Sequence, residues 1–260
     1  MTDGSPRYAA GTPIWIDHTS GDLQGSVRFY GELFGWQPQD MGEEAGHYTM
    51  FSSNGKVVAA TTPPMSPGNP PAWTTYISTA NVEETARRVD GSGGKTLVAP
   101  MQVMGQGSMG VFMDSTGAVF AAWQPGAMQG AELVNQPVSL SWNELATRDL
   151  EAAKAFYSKV FDWGVKSNKM PDGSEYVEWQ VGGRSIGGGM AMGSMYPAQV
   201  PAHWLVYFAV ANADATVKKA QELGGKVLTG AMDIPQGRFA VLTDPQGAAF
   251  AVIQLSNPGQ

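Results

Sequence analysis

The chain repeats itself. Trp15, Asp22-Leu23, Phe29-Tyr30 and Phe34-Gly35-Trp36 return as Trp142, Asp149-Leu150, Phe156-Tyr157 and Phe161-Asp162-Trp163, each displaced by 127 positions. Further along, Trp73-x-x-Tyr76 returns as Trp204-x-x-Tyr207, and Gly93-Gly94-Lys95 as Gly224-Gly225-Lys226, displaced by 131. The turn Asp114-Ser-Thr-Gly117 returns as Asp244-Pro-Gln-Gly247, displaced by 130. Matches kept in order over such a span mean duplication, and a duplicated chain must fold as two copies of one architecture.

Each copy divides again. An alternating strand over Pro13 to His18 leads through Ser20-Gly21-Asp22, a helix N-cap signal, into a helix. That helix carries Leu23, Val27, Tyr30, Leu33 and Phe34 as one apolar stripe, and Gly35 stops it. Two or three strands follow, among them Tyr48 to Ser52 and Lys56 to Thr61. The second quarter runs in the same order. It has a strand at Trp73 to Ser78, a helix at Val82 to Val89 and a turn at Gly91 to Gly94. Strands at Gly110 to Met113 and Ala118 to Trp123 then flank the turn Asp114 to Gly117. The expected fold is α+β, with two tandem domains that are each a pair of βαβββ modules. Domain one spans 10–126, a Pro- and Gly-flanked linker spans 127–137, and domain two spans 138–256.

Composition limits what such a fold can do. The net charge is -7 over 260 residues, which disfavours a nucleic-acid backbone or an anionic membrane as partner. No apolar run is long enough to span a bilayer, and the first residues lack the pattern of a secretory signal, so the expected location is cytoplasmic. There is no cysteine, so neither disulfide nor thiolate chemistry is available. Only His18, His47 and His203 offer imidazole. His18 is expected in a loop or at the surface, and His47, beside Gly46, exposed.

The order of a strand, Gly-Asp-Leu, Phe-Tyr-x-x-x-Phe-Gly-Trp and a closing Asp-Pro-x-Gly-x-x-Phe resembles the glyoxalase, bleomycin-resistance and dioxygenase (vicinal oxygen chelate) family. The likeness covers nearly all of residues 10 to 256, and is greatest to two-domain actinobacterial members often labelled hydroxylases. It implies that the two modules of a domain form an open, U-shaped sheet around a cleft, with the metal ligands facing inward. By register those ligand positions are Trp15 and Trp142 on first strands, Thr74 and Leu205 in second modules, and Ala121 and Ala251 on last strands. The remaining last-strand positions are Ala59 or Ala60, and a position within Gly187 to Met190. None carries imidazole or carboxylate, so neither metal nor other cofactor is expected. His203 with Glu144 would make a poor substitute.

Period two then assigns the cleft-facing candidates. In domain one they are Trp15, Asp17, Thr74, Tyr76, Ala121 and Trp123; in domain two they are Trp142, Glu144, His203, Leu205, Tyr207, Ala251 and Ile253. Two readings stand. The tryptophans either fill a collapsed cleft as core, or stack on a flat ligand in a roomy apolar one. Asp17 and Glu144 occupy equivalent positions and are either solvated strand carboxylates or groups that fix a ligand's orientation. The methionines near the clefts, including Met101, Met109 and Met190, suit an adaptable binding surface or a soft core. Gly105 to Gly110 fits a dinucleotide fingerprint but precedes a strand, and Gly94-Lys95-Thr96 lacks the first glycine of a P-loop. Gly187 to Gly189 reads as a bulged or closely approached strand rather than a phosphate nest.

Some members of the family sequester antibiotics, and close two-domain members are associated with aromatic polyketide pathways. The expected function is metal-independent binding of a hydrophobic, planar aromatic molecule, in resistance or as an accessory to natural-product tailoring. The alternative is a cofactor-free hydroxylase, isomerase or cyclase with Asp17, Glu144, Tyr76 or Tyr207 as acid–base groups. A structural protein with filled clefts, and a homodimer, remain open. Of the two domains, the first is expected to bind better, with Trp15 and Trp123 as two walls of one slot and only Trp142 in the second.

Overall fold

A computed structural model describes residues 8–257 except 67, 171 and 195. The first half runs β1 (Pro13–Thr19), α1 (Leu23–Phe34), β2 (Gln37–Asp40), β3 (Thr49–Ser53) and β4 (Lys56–Thr62). It continues with β5 (Ala72–Ser78), α2 (Val82–Gly91), β6 (Lys95–Val103), β7 (Gly107–Met113) and β8 (Val119–Pro125). The second half repeats this as β9 (Ser139–Thr147), α3 (Leu150–Phe161), β10 (Gly164–Lys169), β11 (Glu175–Val181) and β12 (Arg184–Ala191). It ends with β13 (His203–Ala209), α4 (Ala213–Glu222), β14 (Lys226–Ile234), β15 (Gly237–Thr243) and β16 (Ala249–Leu255). The four βαβββ modules of the sequence are present, with β2, β6, β10 and β14 completing those whose strands were only partly legible. No helix among the described residues is long and apolar enough to cross a membrane.

Local chemistry sets the helices. Asp22 accepts from Gly25 N at 2.8 Å and Asp149 from Ala152 N at 2.9 Å, filling an orphan donor at each N-terminus. Asn81 and Asn212 cap α2 and α4 in the same way. Gly35 ends α1 at φ +71°, a left-handed conformation that glycine adopts without strain.

Strands pair within each half. One eight-stranded sheet has the order β2-β3-β4-β1-β5-β8-β7-β6, and the other β10-β11-β12-β9-β13-β16-β15-β14. The first and last strands of a module lie parallel, as Asp17 beside Ala60 and Glu144 beside Gly188 show. The intervening pairs are antiparallel.

Packing follows a different division. One compact unit takes the chain up to Ile14 with Thr75–Gly130 and Trp142–Trp204; the other takes Trp15–Thr74, Ala131–Ser141 and Leu205–Gln260. The first unit's core joins Phe112 and Phe120 to Phe156, Tyr157, Trp163 and Trp179. That of the second joins Phe29, Phe34, Trp36 and Phe51 to Phe208 and Phe250. Each core therefore draws on both halves of the sequence.

A buried polar network recurs in both cores. In the second unit Trp73 Nε1 donates to Tyr30 Oη at 2.9 Å, and that hydroxyl donates to Asp244 Oδ2 at 3.1 Å. In the first unit Trp204 donates to Tyr157 at 2.8 Å, and Tyr157 to Asp114 at 2.9 Å. The expectation of a peripheral His18 is corrected here. The ring is wholly buried on β1, with Nε2 3.0 Å from Asp244 Oδ2 and Nδ1 3.1 Å from Thr61 Oγ1. Alternation correctly turned it away from Asp17, but that direction leads into the core, where it faces the Asp244 carboxylate. His47 is exposed and pairs with Asp40 at 2.9 Å.

Candidate functional site

Two repeat-related triads stand on the faces that the sequence assigned to the clefts. Trp15 and Asp17 lie two residues apart on β1 and so share a face. Tyr48, just before β3, reaches both: its hydroxyl accepts from Trp15 Nε1 at 2.9 Å and donates to Asp17 Oδ2 at 3.3 Å. In the first unit Tyr176 on β11 accepts from Trp142 Nε1 at 3.0 Å and donates to Glu144 Oε2 at 2.9 Å. Sequence reading missed both tyrosines. The signal was available, because Tyr48 and Tyr176 are displaced by 128, within the spread of the other repeat matches.

The triads differ in exposure. Trp15 is 2% and Asp17 4% exposed, whereas Trp142, Glu144 and Tyr176 are half-buried. In both, burial and then the neighbouring carboxylate hold the phenol well above its ordinary range. Each phenol therefore stays protonated and links the indole N–H to the carboxylate.

Metal-binding members of such a fold need imidazole or carboxylate at the inward positions, and the donor set here does not fit. The first-strand and last-strand positions hold Trp15, Trp142, Ala60, Ala121, Ala251 and Gly188, and the second-module positions hold Thr74 and Leu205. At Gly188 the lack of a side chain is required. A Cβ there would collide with the Tyr176 hydroxyl and come within 2.8 Å of Trp142 Nε1. The triad fills the space into which a ligand from β12 would project. Among the described residues no three His, Cys, Asp or Glu side chains converge as a metal site.

Register identifies a second feature in each unit. In the first, Tyr76 lies beside Ala121, which in turn lies beside Val111, while Trp123 lies beside Met109, which faces Met101. Paired residues share a face, so β5, β8, β7 and β6 present a continuous apolar surface. Phe112, on the opposite face, is wholly buried, whereas Met109 and Val111 are half-buried and Met101 is 47% exposed. In the second unit Tyr207 lies beside Ala251, which in turn lies beside Val241, and Ile253 lies beside Phe239, which faces Met232. The Tyr207 and Phe239 rings are 6.1 Å apart. Phe239 and Val241 were not singled out from sequence, which assigned no candidates on β15.

The other candidates fall as follows. Trp123 is buried and donates to Met128 O at 3.0 Å, fixing its ring. Tyr76, Leu205 and Tyr207 are buried, and Thr74 is half-buried. Trp15 and Thr74 belong to one unit, Tyr76 and Trp123 to the other. His203 is half-buried, with Nδ1 2.9 Å from Pro201 O.

Known proteins agree with this architecture. An anthracycline biosynthesis protein of Streptomyces peucetius, DnrV, is 40% identical over 96% of this chain and 95% of its own. The putative glyoxylase CFP32 of Mycobacterium tuberculosis is 40% identical over 95% and 96%. Among solved structures, the Mn(II)-bound glyoxalase from Novosphingobium aromaticivorans superposes with a TM-score of 0.64 at 14% identity, over 96% of this chain and 85% of that one. The 2,3-dioxygenase LapB from Pseudomonas sp. KL28 gives 0.63 at 11%, over 95% and 93%. At such identities the two structures speak for the fold alone. A family profile matches residues 15–122 and 139–252, and this chain belongs to the Glyoxalase/Bleomycin resistance protein/Dioxygenase superfamily.

Proposed function

We propose that the chain binds a hydrophobic, planar aromatic small molecule of the polyketide kind, without a metal, as an accessory to natural-product tailoring or in sequestration. The observation that carries this reading is the Trp–Tyr–carboxylate triad of each half, built where a metal-binding relative would place its ligands. It exchanges a coordination site for an indole edge and an aimed carboxylate. The half-buried methionine and aromatic faces beside β7 and β15 support it, since soft, flat-sided surfaces suit flat apolar ligands. The anthracycline biosynthesis proteins similar to this chain favour the same ligand class.

The test is a titration of the full-length protein with a tetracyclic anthracyclinone, read by quenching of tryptophan emission. Trp142→Leu should weaken binding by about 0.5–1.5 kcal/mol beyond lost area, with the fold intact. Binding should be unchanged after exhaustive dialysis against a chelator. A titration without quenching, or binding that a chelator abolishes and Mn²⁺ restores, would refute the reading. The aimed carboxylates also leave room for an acid–base enzyme, and metal-free turnover of the bound molecule would select it.

A further inference from the structure

We propose that the second unit holds the flat ligand by stacking on Phe239, and that the matching face of the first unit is not its platform; this rests on the aromatic-binding reading above. It reverses the expectation, drawn from Trp123, that the first domain binds better. The two faces are built from repeat-matched strands but place their rings differently. Where the first unit has Met109 and Trp123, the second has Phe239 and Ile253, each displaced by 130.

In the first unit the indole is committed to the fold. Trp123 is only 6% exposed, and its Nε1 is held by Met128 O at 3.0 Å. The ring also lies against the start of β7, since a Cβ on Gly107 would come within 2.6 Å of a Trp123 ring carbon. A ring tied by its N–H and laid on a neighbouring strand leaves almost no surface for a ligand. In the second unit Ile253 has no N–H to tie. The nearest neighbours of a Cβ on the matching Gly237 are backbone atoms of Gln254 and Leu255.

Phe239 is the ring that remains accessible. Tyr76, Trp123 and Tyr207 are buried, whereas Phe239 is half-buried. The Tyr207 ring stands 6.1 Å from it, tilted by 40°. On its other side Met232, 47% exposed, faces it from β14. An aromatic ring laid on Phe239 therefore meets a thioether at one edge and a second ring at the other, both favourable to a flat π-system. Between Tyr207 and Met232 the face carries Ala251, Val241 and Ile253 and no charged side chain, so the part of the ligand seated there is uncharged and apolar.

Two probes test this on the full-length protein: unsubstituted anthraquinone, titrated by tryptophan quenching, and perhydroanthracene, a saturated tricycle, titrated by its displacement of bound anthraquinone. Phe239→Met gives the second unit the residue that the first has at Met109. It should weaken anthraquinone binding about 2–10-fold, the worth of one aromatic pair. Perhydroanthracene has no π-face, so its own affinity should be the same in parent and variant. Met109→Leu should change neither. If Phe239→Met fails to fold by circular dichroism, Phe239→Leu carries the comparison. An unaltered anthraquinone affinity, an equal loss for both compounds, or a larger loss from Met109→Leu overturns this inference and leaves aromatic binding standing. If anthraquinone does not quench the parent, the aromatic-binding reading falls and this inference falls with it.

Discussion

Asp244 shows how much one side chain can hold. Its carboxylate accepts from Gln246 N, Gly247 N and Ala248 N within 3.0 Å, from the Tyr30 hydroxyl, and stands 3.0 Å from His18 Nε2. Burial pushes the carboxyl up, but His18, the Ala248 N–H and the Tyr30 hydroxyl outweigh it, and it lies below the ordinary carboxylate range. Asp244→Ala should cost about 3–5 kcal/mol of folding stability by urea titration, because it strands a buried imidazole and several donors. A depressed carboxyl contributes stability that is present above its unfolded value, about 3.9, and lost as pH falls through the lower folded one. His18→Leu copies Leu145, which the repeat places at the matching position in the other half. It should flatten the acid limb of the stability curve. An acid limb identical to the parent's would mean that His18 plays no part in holding Asp244 ionised.

At the scale of elements, β12 is the strand whose composition is least free. Gly187, Gly188 and Gly189 leave room for Asn143 O, for the Tyr176 hydroxyl and for the Trp179 ring respectively. Trp179 Nε1 in turn donates to Gly188 O at 2.7 Å. A closely approached strand was legible from three consecutive glycines; what approached it was not, since Tyr176 and Trp179 lie on another strand. Gly188→Ala would force Tyr176 and Trp142 apart, and an overpacked site of this kind typically costs about 1–3 kcal/mol. The expected result is a lowered melting temperature with a shifted Trp142 emission. The matching Ala60→Gly in the first half should leave emission from Trp15 nearly unchanged. A Gly188→Ala variant as stable as the parent, with unaltered emission, would show that the triad is loose and cannot aim Glu144.

Over the whole molecule, hydrogen bonding and packing obey different partitions. The sheets close within residues on either side of the linker, but each hydrophobic core is assembled from both halves. A half expressed alone would lack the apolar partners of its helices. Residues 1–130 and 131–260 should therefore each be insoluble or weakly structured when made separately, and recover a cooperative melting transition when co-expressed. Two halves that each unfold cooperatively on their own would contradict this account of the cores. The sequence by itself determined the duplication and the four modules, because strand alternation and cap chemistry are local and the repeat checks each reading twice. Only the tertiary structure decided that His18 is core, that Tyr48 and Tyr176 tie tryptophan to carboxylate, and that Tyr30 meets Asp244 across 214 residues of chain. Those contacts depend on which distant segments share a core, and a pattern of period two or 3.6 carries no information about that.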